Sequence, residues 1–366
     1  MSHIWIVRDV PYKIPQVHHQ SYSLAQRESL RQCVNLYIPL VKQIPTAKHT
    51  PYQQSLLDFI QRLWSPNKIA SPSTEPTTHS GPKLPVLFYI HGGAWMSGHR
   101  SQKTVHEILK STSRQMNCVC VSVGYRLCRM RSRFIELLLL GMSIIGLASI
   151  FRKSDLIHRI MWLTMGLFCF VLLMVALYSR SWPVNMHPTS ALDVADAISW
   201  VTSHHLQLGC DPTRIILMGH SAGAHLISTV YSNSFLWKRT QLPETSVVAL
   251  VAISGLYSSK WMQRDLMTQT LGRFVFDIEL ERWKDAFVVD LLQKPNRPLY
   301  WPKTLLLSAE FDYGMRLHAR DLCYVFRSLY PQKTIEWMTV SNVTHLSIVA
   351  FWNYQHHRIC EYVCRF

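Results

Sequence analysis

Gly219-His220-Ser221-Ala222-Gly223 stands where an apolar strand gives way to a helix, and the fold can be read outward from it. Before it, Arg214-Ile215-Ile216-Leu217-Met218 follows Asp211-Pro212 and reads as a buried strand. After it, Ala222 through Tyr231 carries apolar residues at helical spacing. A sharp strand-to-helix turn lifts the middle residue of G-x-S-x-G into a cleft, and Gly219 and Gly223 permit the strained backbone and close packing. Ser221 is therefore the candidate nucleophile. Further runs apolar on both faces, 119–125 and 247–255, alternate with helical stretches such as 190–206. That alternation predicts an α/β fold, a mostly parallel sheet flanked by helices. Gln32-Cys33-Val34-Asn35-Leu36-Tyr37-Ile38-Pro39 reads as an early edge strand ending at a proline.

A serine nucleophile needs amide N–H groups aimed at the oxyanion it generates. Upstream, the strand Pro85-Val86-Leu87-Phe88-Tyr89-Ile90 runs into His91-Gly92-Gly93-Ala94-Trp95. Glycines let such a loop turn its amides toward a substrate, so Gly93 and Ala94 are assigned as donors. Ala222, the residue after the nucleophile, supplies the third. His91 and Gly92 support the loop.

A serine hydroxyl becomes nucleophilic when a histidine takes its proton and a carboxylate orients that histidine. On a sheet of this kind the chain order is serine, acid, histidine. The strand Thr304-Leu305-Leu306-Leu307-Ser308-Ala309 ends in Glu310-Phe311-Asp312-Tyr313-Gly314. Asp312, in the loop past the strand, is the preferred acid, with Glu310 on the strand's last turn as the alternative. The strand 334–340 is followed by Ser341-Asn342-Val343-Thr344-His345, which puts His345 in the loop after the last strand, where the base belongs. The chain has 18 histidines, so position must select among them. His318 falls on the preceding helix and reads as a helix-surface residue. His91, His220 and His225 read as structural members of their motifs.

Taken together, these motifs resemble the α/β-hydrolase superfamily, in the branch related to hormone-sensitive lipase. Leu217-Met218-Gly219-His220-Ser221-Ala222-Gly223-Ala224-His225, preceded by Asp211-Pro212-Thr213-Arg214-Ile215, is similar to the isoprenylcysteine methylesterases, as is His91-Gly92-Gly93-Ala94-Trp95 followed by Gly98. The plant-type methylesterases carry Gln where His220 stands. Kynurenine formamidases share the Ser-Ala-Gly-Ala-His segment. The resemblance covers roughly residues 82–126 and 185–350. It implies a serine carboxylesterase acting on a lipophilic ester, with the methyl ester of a prenylated cysteine as one candidate. A formamidase, a general lipid esterase and a non-catalytic membrane interaction platform are the alternatives. No metal or organic cofactor is implied.

Two apolar segments interrupt the hydrolase pattern. Residues 134–151 contain one acid, Glu136, and residues 160–178 contain no charge. Each is close to the roughly 20 residues an α-helix needs to cross a bilayer core, and neither shows a polar stripe. The link Arg152-Lys153-Ser154-Asp155-Leu156-Ile157-His158-Arg159 is short, so the two would form an antiparallel transmembrane hairpin spanning 134–178. Its junctions would lie at the carboxyl edge of the sheet, so the pocket is expected to face the bilayer. Arg126, Arg129, Arg131, Arg133 and Arg180 flank the domain side, against Arg152, Lys153 and Arg159 at the tip, which favours a cytosolic catalytic domain.

The nine cysteines, odd in number, suit reduced thiols, and Cys118 and Cys120 are assigned to opposite faces of one strand, against a metal pair. A glycan at the sequon Asn342-Val343-Thr344 would crowd His345, which again fits the cytosol. No apolar signal segment is apparent at the N-terminus. The expected setting is an endoplasmic reticulum or Golgi membrane. A net charge of +16 comes with no nucleic-acid recognition motif. Membrane lipids are the expected partners, each basic residue near an anionic surface contributing about 1 kcal/mol. The expected organisation is an N-terminal segment with early strands (1–64), a flexible linker (65–82), the catalytic domain (83–133 and 179–366) and a cap region (256–300).

Overall fold

The computed structural model describes residues 4–12, 32–39, 83–128, 185–264, 266–350, 352 and 359–366. Among them, eight strands make one sheet: β1 (Ile4–Pro11), β2 (Cys33–Pro39), β3 (Leu84–Ile90), β4 (Val119–Val123), β5 (Cys210–His220), β6 (Val247–Ile253), β7 (Lys303–Phe311) and β8 (Ile335–Thr344). The spatial order is β1-β2-β4-β3-β5-β6-β7-β8. The β1–β2 and β2–β4 pairs are antiparallel, and every pairing from β4 across to β8 is parallel.

Side chains alternate between the faces of a strand, and here both faces are apolar. In β3, Val86, Phe88 and Ile90 enter one core cluster while Leu87 and Tyr89 enter the other; in β5, Ile215 and Leu217 oppose Ile216 and Met218 in the same way. Helices cover each side. Helix α1 (Lys103–Met116) buries Val105, Ile108 and Leu109 in the second cluster. Helices α2 (Thr189–Ser203) and α3 (Ala222–Ser232) lie in the first, and every residue of α3 is buried. This two-sided burial is why the parallel strands read as continuous apolar runs.

Three expectations change. The strand β2 is not an edge: β1 pairs on its outer side, and all seven of its residues are buried. Cys118 and Cys120 lie on one face, not on opposite faces, because residues two apart on a strand share a face. Their sulfurs stand 3.6 Å apart in the second core cluster. The last strand also runs on to Thr344, because Thr344 pairs with Phe311 across the β7–β8 ladder, so His345 follows the strand directly. Cys33, Cys118, Cys120, Cys128, Cys210, Cys323 and Cys364 are free thiols.

The chain divides into one compact unit, residues 1–127 and 187–366, and a second, residues 128–186, almost all of which lie outside the described residues. The expected hairpin, with its segments 134–151 and 160–178, falls there, as does the linker 65–82 outside the first unit's described parts. Among the described residues no helix is long and apolar enough to cross a membrane. Within the first unit, the stretches on either side of the insertion are joined. The backbone N–H of Arg126 donates to Asp193 Oδ2 at 2.9 Å, and its guanidinium grips both oxygens of that fully buried carboxylate. Ser190 Oγ donates in turn to the Arg126 carbonyl at 2.8 Å.

Candidate active site

The residues singled out by sequence come together along the carboxyl ends of β3, β5, β7 and β8, the edge where open α/β sheets bind ligands. Ser221 follows β5 as the first turn of α3 begins, with φ 53° and ψ −119°. This left-handed backbone is costly for a residue with a Cβ. The neighbours hold it: the Ser221 N–H donates to the Ile253 carbonyl at 2.8 Å, and His225 N–H donates to the Ser221 carbonyl at 3.0 Å. Helix and strand approach so closely that a Cβ on Gly223 would stand 2.0 Å from the Ile90 oxygen, and one on Gly219 2.5 Å from the Gly223 carbonyl carbon.

His345 and Asp312 complete a chain of hydrogen bonds with the serine. A carboxylate oxygen can only accept, so His345 Nδ1–H donates to Asp312 Oδ1, at 2.6 Å. In the neutral ring Nε2 is then an acceptor, and Ser221 Oγ–H donates to it at 2.9 Å. Asp312 Oδ2 accepts the Ala309 N–H at 3.0 Å, which fixes the carboxylate plane. Burial is graded along the relay: the Asp312 side chain is sealed, while that of His345 keeps 12% exposure. Glu310, the alternative acid, is exposed, and its Oε2 accepts the Asn342 N–H at 2.7 Å.

The loop after β3 reaches the same place. A Cβ on Gly92 would stand 3.1 Å from Ser221 Cβ. Gly93, Ala94 and Trp95 have φ of 125°, 50° and 60° in succession. The Gly93 carbonyl accepts from Met96 N, Ser97 N and Ser97 Oγ, so it is turned into the loop's own closure. Among the described residues no group accepts the N–H of Gly93 or Ala94. The Ala222 amide, at the first position of α3, has no partner within its helix. His91 stacks on Tyr125 with ring centroids 4.4 Å apart, and the Tyr125 hydroxyl donates to the His91 carbonyl at 3.0 Å.

The buried histidines are more engaged than their sequence reading suggests. His220 Nε2–H donates to the His345 carbonyl at 2.9 Å, while its Nδ1 lies against Gly92, so the ring braces both His345 and the loop after β3. Burial, and then the nearby His345, hold its pKa down to about 3. His318 is not on the surface. Helix α5 (Met315–Leu329) turns His318, Ala319, Leu322, Cys323 and Phe326 inward, and His318 Nδ1 accepts the backbone N–H groups of Tyr257 and Ser258, each at 3.1 Å. (Helix α4, Leu266–Val275, precedes it.) Burial lowers the His318 pKa to about 3. The inward spacing of Leu322 and Phe326 was the available signal that position 318 faces the core. Trp283 and Trp301, in or beside the expected cap, are core residues at 0% and 1% exposure.

Residues 87–130 and 169–347, more than half of the chain, match the family described as alpha/beta hydrolase fold. Over 65 residues the chain is 43% identical to probable carboxylesterase 5 of Arabidopsis thaliana, covering 18% of each protein, so it spans about a fifth of that relative's length. It is 22% identical over 328 residues to an arylesterase of Saccharolobus solfataricus, covering 89% of this chain and 72% of that one. Among solved structures, an inhibited esterase B from Lactobacillus rhamnosis superposes with a TM-score of 0.57 at 13% identity, covering 99% of this chain and 85% of the other, a likeness of fold. With its family match, sheet order and nucleophile turn in agreement, the chain belongs to the α/β-hydrolase fold family.

Proposed function

We propose that the protein is a serine carboxylesterase in which Ser221 is the nucleophile, His345 the general base and acid, and Asp312 the group that orients His345. The observation that carries this reading is the relay from Ser221 Oγ to His345 Nε2 at 2.9 Å and from His345 Nδ1 to Asp312 Oδ1 at 2.6 Å. Ser221 Oγ attacks the ester carbonyl carbon as its proton passes to His345 Nε2. The carbonyl oxygen becomes an oxyanion and accepts from the amides of Gly93, Ala94 and Ala222. Collapse breaks the bond to the alcohol oxygen, which leaves with the proton from Nε2, and an acyl-enzyme remains. Water then attacks the acyl carbon, giving its proton to Nε2. The second collapse returns that proton to Ser221 Oγ and frees the acid. Throughout, Asp312 stays ionised and stabilises the imidazolium.

The substrate in this reading is a lipophilic ester, with a prenylcysteine methyl ester as one candidate. Its support is the motif resemblance, the relatives' names as esterases and the apolar segments 134–151 and 160–178. The same segments support an integral membrane protein of the endoplasmic reticulum or Golgi, with membrane lipids around it and the catalytic unit on the cytosolic side. Residues 256–300 serve as the cap. The deciding experiment labels membrane fractions with a fluorophosphonate probe. Wild type should be labelled and Ser221→Ala should not; folded wild-type protein that takes no label would contradict the reading.

A further inference from the structure

Three consecutive residues of the loop after β3 have positive φ, and two of them, Ala94 and Trp95, are not glycine. Such a backbone does not hold itself. The Gly93 carbonyl closes one side of the loop through Met96 and Ser97. On the other side the anchor is the Trp95 side chain, which is 2% exposed. Its indole Nε1–H donates to His225 Nδ1 at 3.2 Å, between two buried residues. The rings meet edge to face at 5.0 Å, and Phe276 packs on Trp95 at the same distance.

His225 is placed to connect the whole constellation. It lies on α3, and its N–H donates to the Ser221 carbonyl, so it moves with the nucleophile and with the Ala222 amide. At its other ring edge Nε2 lies 3.4 Å from Thr229 Oγ1, which gives its own proton to the Ala286 carbonyl at 2.6 Å. One ring nitrogen must accept from an indole while the other donates to a hydroxyl oxygen whose own proton is already given to a carbonyl. Only the neutral imidazole protonated at Nε2 does both.

We propose that His225 is a positioning residue for ester hydrolysis: by accepting the Trp95 indole proton it holds the Gly93 and Ala94 amides in register with the Ala222 amide, and through Thr229 and the Ala286 carbonyl it ties that arrangement to the segment 256–300. The inference rests on the esterase reading above. It assigns His225 no proton transfer and no contact with substrate. The Trp95 anchor fixes the Ala94–Trp95 peptide and with it the direction of the amides before it.

The test uses the full-length protein and two readouts: turnover of p-nitrophenyl butyrate, and amide hydrogen exchange of the 91–98 loop with β5 as internal reference. In Trp95→Phe and His225→Phe the loop should exchange at least about tenfold faster while β5 stays protected. Their kcat should fall about 10- to 100-fold with KM within about twofold, the size expected of misaimed oxyanion donors. His225→Asn, whose Oδ1 can still accept from Trp95, should recover most of both losses. Should Trp95→Phe loosen β5 as well, the comparison of His225→Asn with His225→Phe decides the matter. Loop exchange equal to wild type in the Phe variants, or equal loss in His225→Asn and His225→Phe, overturns the proposal. A wild type that does not hydrolyse the ester refutes the esterase reading instead, and the exchange readout still shows whether His225 holds the loop.

Discussion

At Asp312 both carboxylate oxygens are engaged, Oδ1 by His345 Nδ1–H and Oδ2 by the Ala309 amide. Glu310, two positions earlier on the same strand end, faces the Asn342 amide instead. The alternation of a strand leaves the two side chains on the same side, so direction alone did not separate them in the sequence. What separates them is that Asp312 lies past the last ladder pair, where the backbone turns it inward. Asp312→Asn keeps the size and loses the charge that selects the Nδ1–H tautomer. Its kcat for a short ester should fall by about 10⁴, as for other triad acids. Glu310→Gln should stay within about twofold, because the amide oxygen can still accept from Asn342. Comparable losses in both variants would refute the assignment of the acid. Ser221 was legible from its pentapeptide set between an apolar strand and a helix, since the steric demand for glycine at such a turn is local. What His318 binds was not, because its partners, the Tyr257 and Ser258 amides, come from a distant loop.

The strand-to-helix turn at β5 and α3 works only if the helix rests directly on the sheet. Gly223 meets the end of β3, where a Cβ would overlap the Ile90 carbonyl at 2.0 Å, and backbone cannot move aside as a flexible side chain can. Gly223→Ala should therefore destabilise the fold by about 1–3 kcal/mol or more, the cost of overpacking, read from the urea midpoint. It should also lower kcat, since displacing α3 moves Ser221 relative to the loop after β3. An unchanged midpoint would show that the contact relaxes without cost. At this scale the parallel core strands were readable because burial on both faces gives continuous apolar runs. The rank of β2 was not readable, because whether a strand lies at an edge depends on a second strand pairing to it, here β1.

Over the molecule as a whole, the buried neutral histidines link stability to pH. His187, His220 and His318 have folded pKa values of about 4, 3 and 3, lowered first by burial, against about 6.5 in an unfolded chain. The unfolded state thus binds more protons in that range. The stability these groups contribute is complete above pH 6.5 and is lost as the pH falls from 6.5 toward 3–4. The unfolding free energy from urea titrations should decline through this window, by about 1.4 kcal/mol per pH unit for each such group. His220→Gln should flatten the decline by about one proton, and a slope identical to wild type would exclude His220 as a contributor. The insertion belongs to the same scale. Ser190 and Arg126 join the chain on its two sides, so removing residues 134–178 should leave that junction and the hydrolysis of a soluble short ester intact. Turnover of a membrane-resident ester should fall. Equal loss on both substrates would count against a membrane route for the substrate.

By itself the sequence determined the class of sheet, the nucleophile turn, the loop after β3 and the order of serine, acid and histidine along the chain. Each of these is encoded in a short stretch whose glycines, apolar runs and polar ends have a local steric or burial cause. Only the tertiary structure decided which carboxylate meets His345, that His318 accepts the Tyr257 and Ser258 amides, that β2 lies inside the sheet, and that His225 receives the Trp95 indole. Each of these rests on a hydrogen bond or strand pairing between residues far apart in the chain, where local pattern carries no information about the partner.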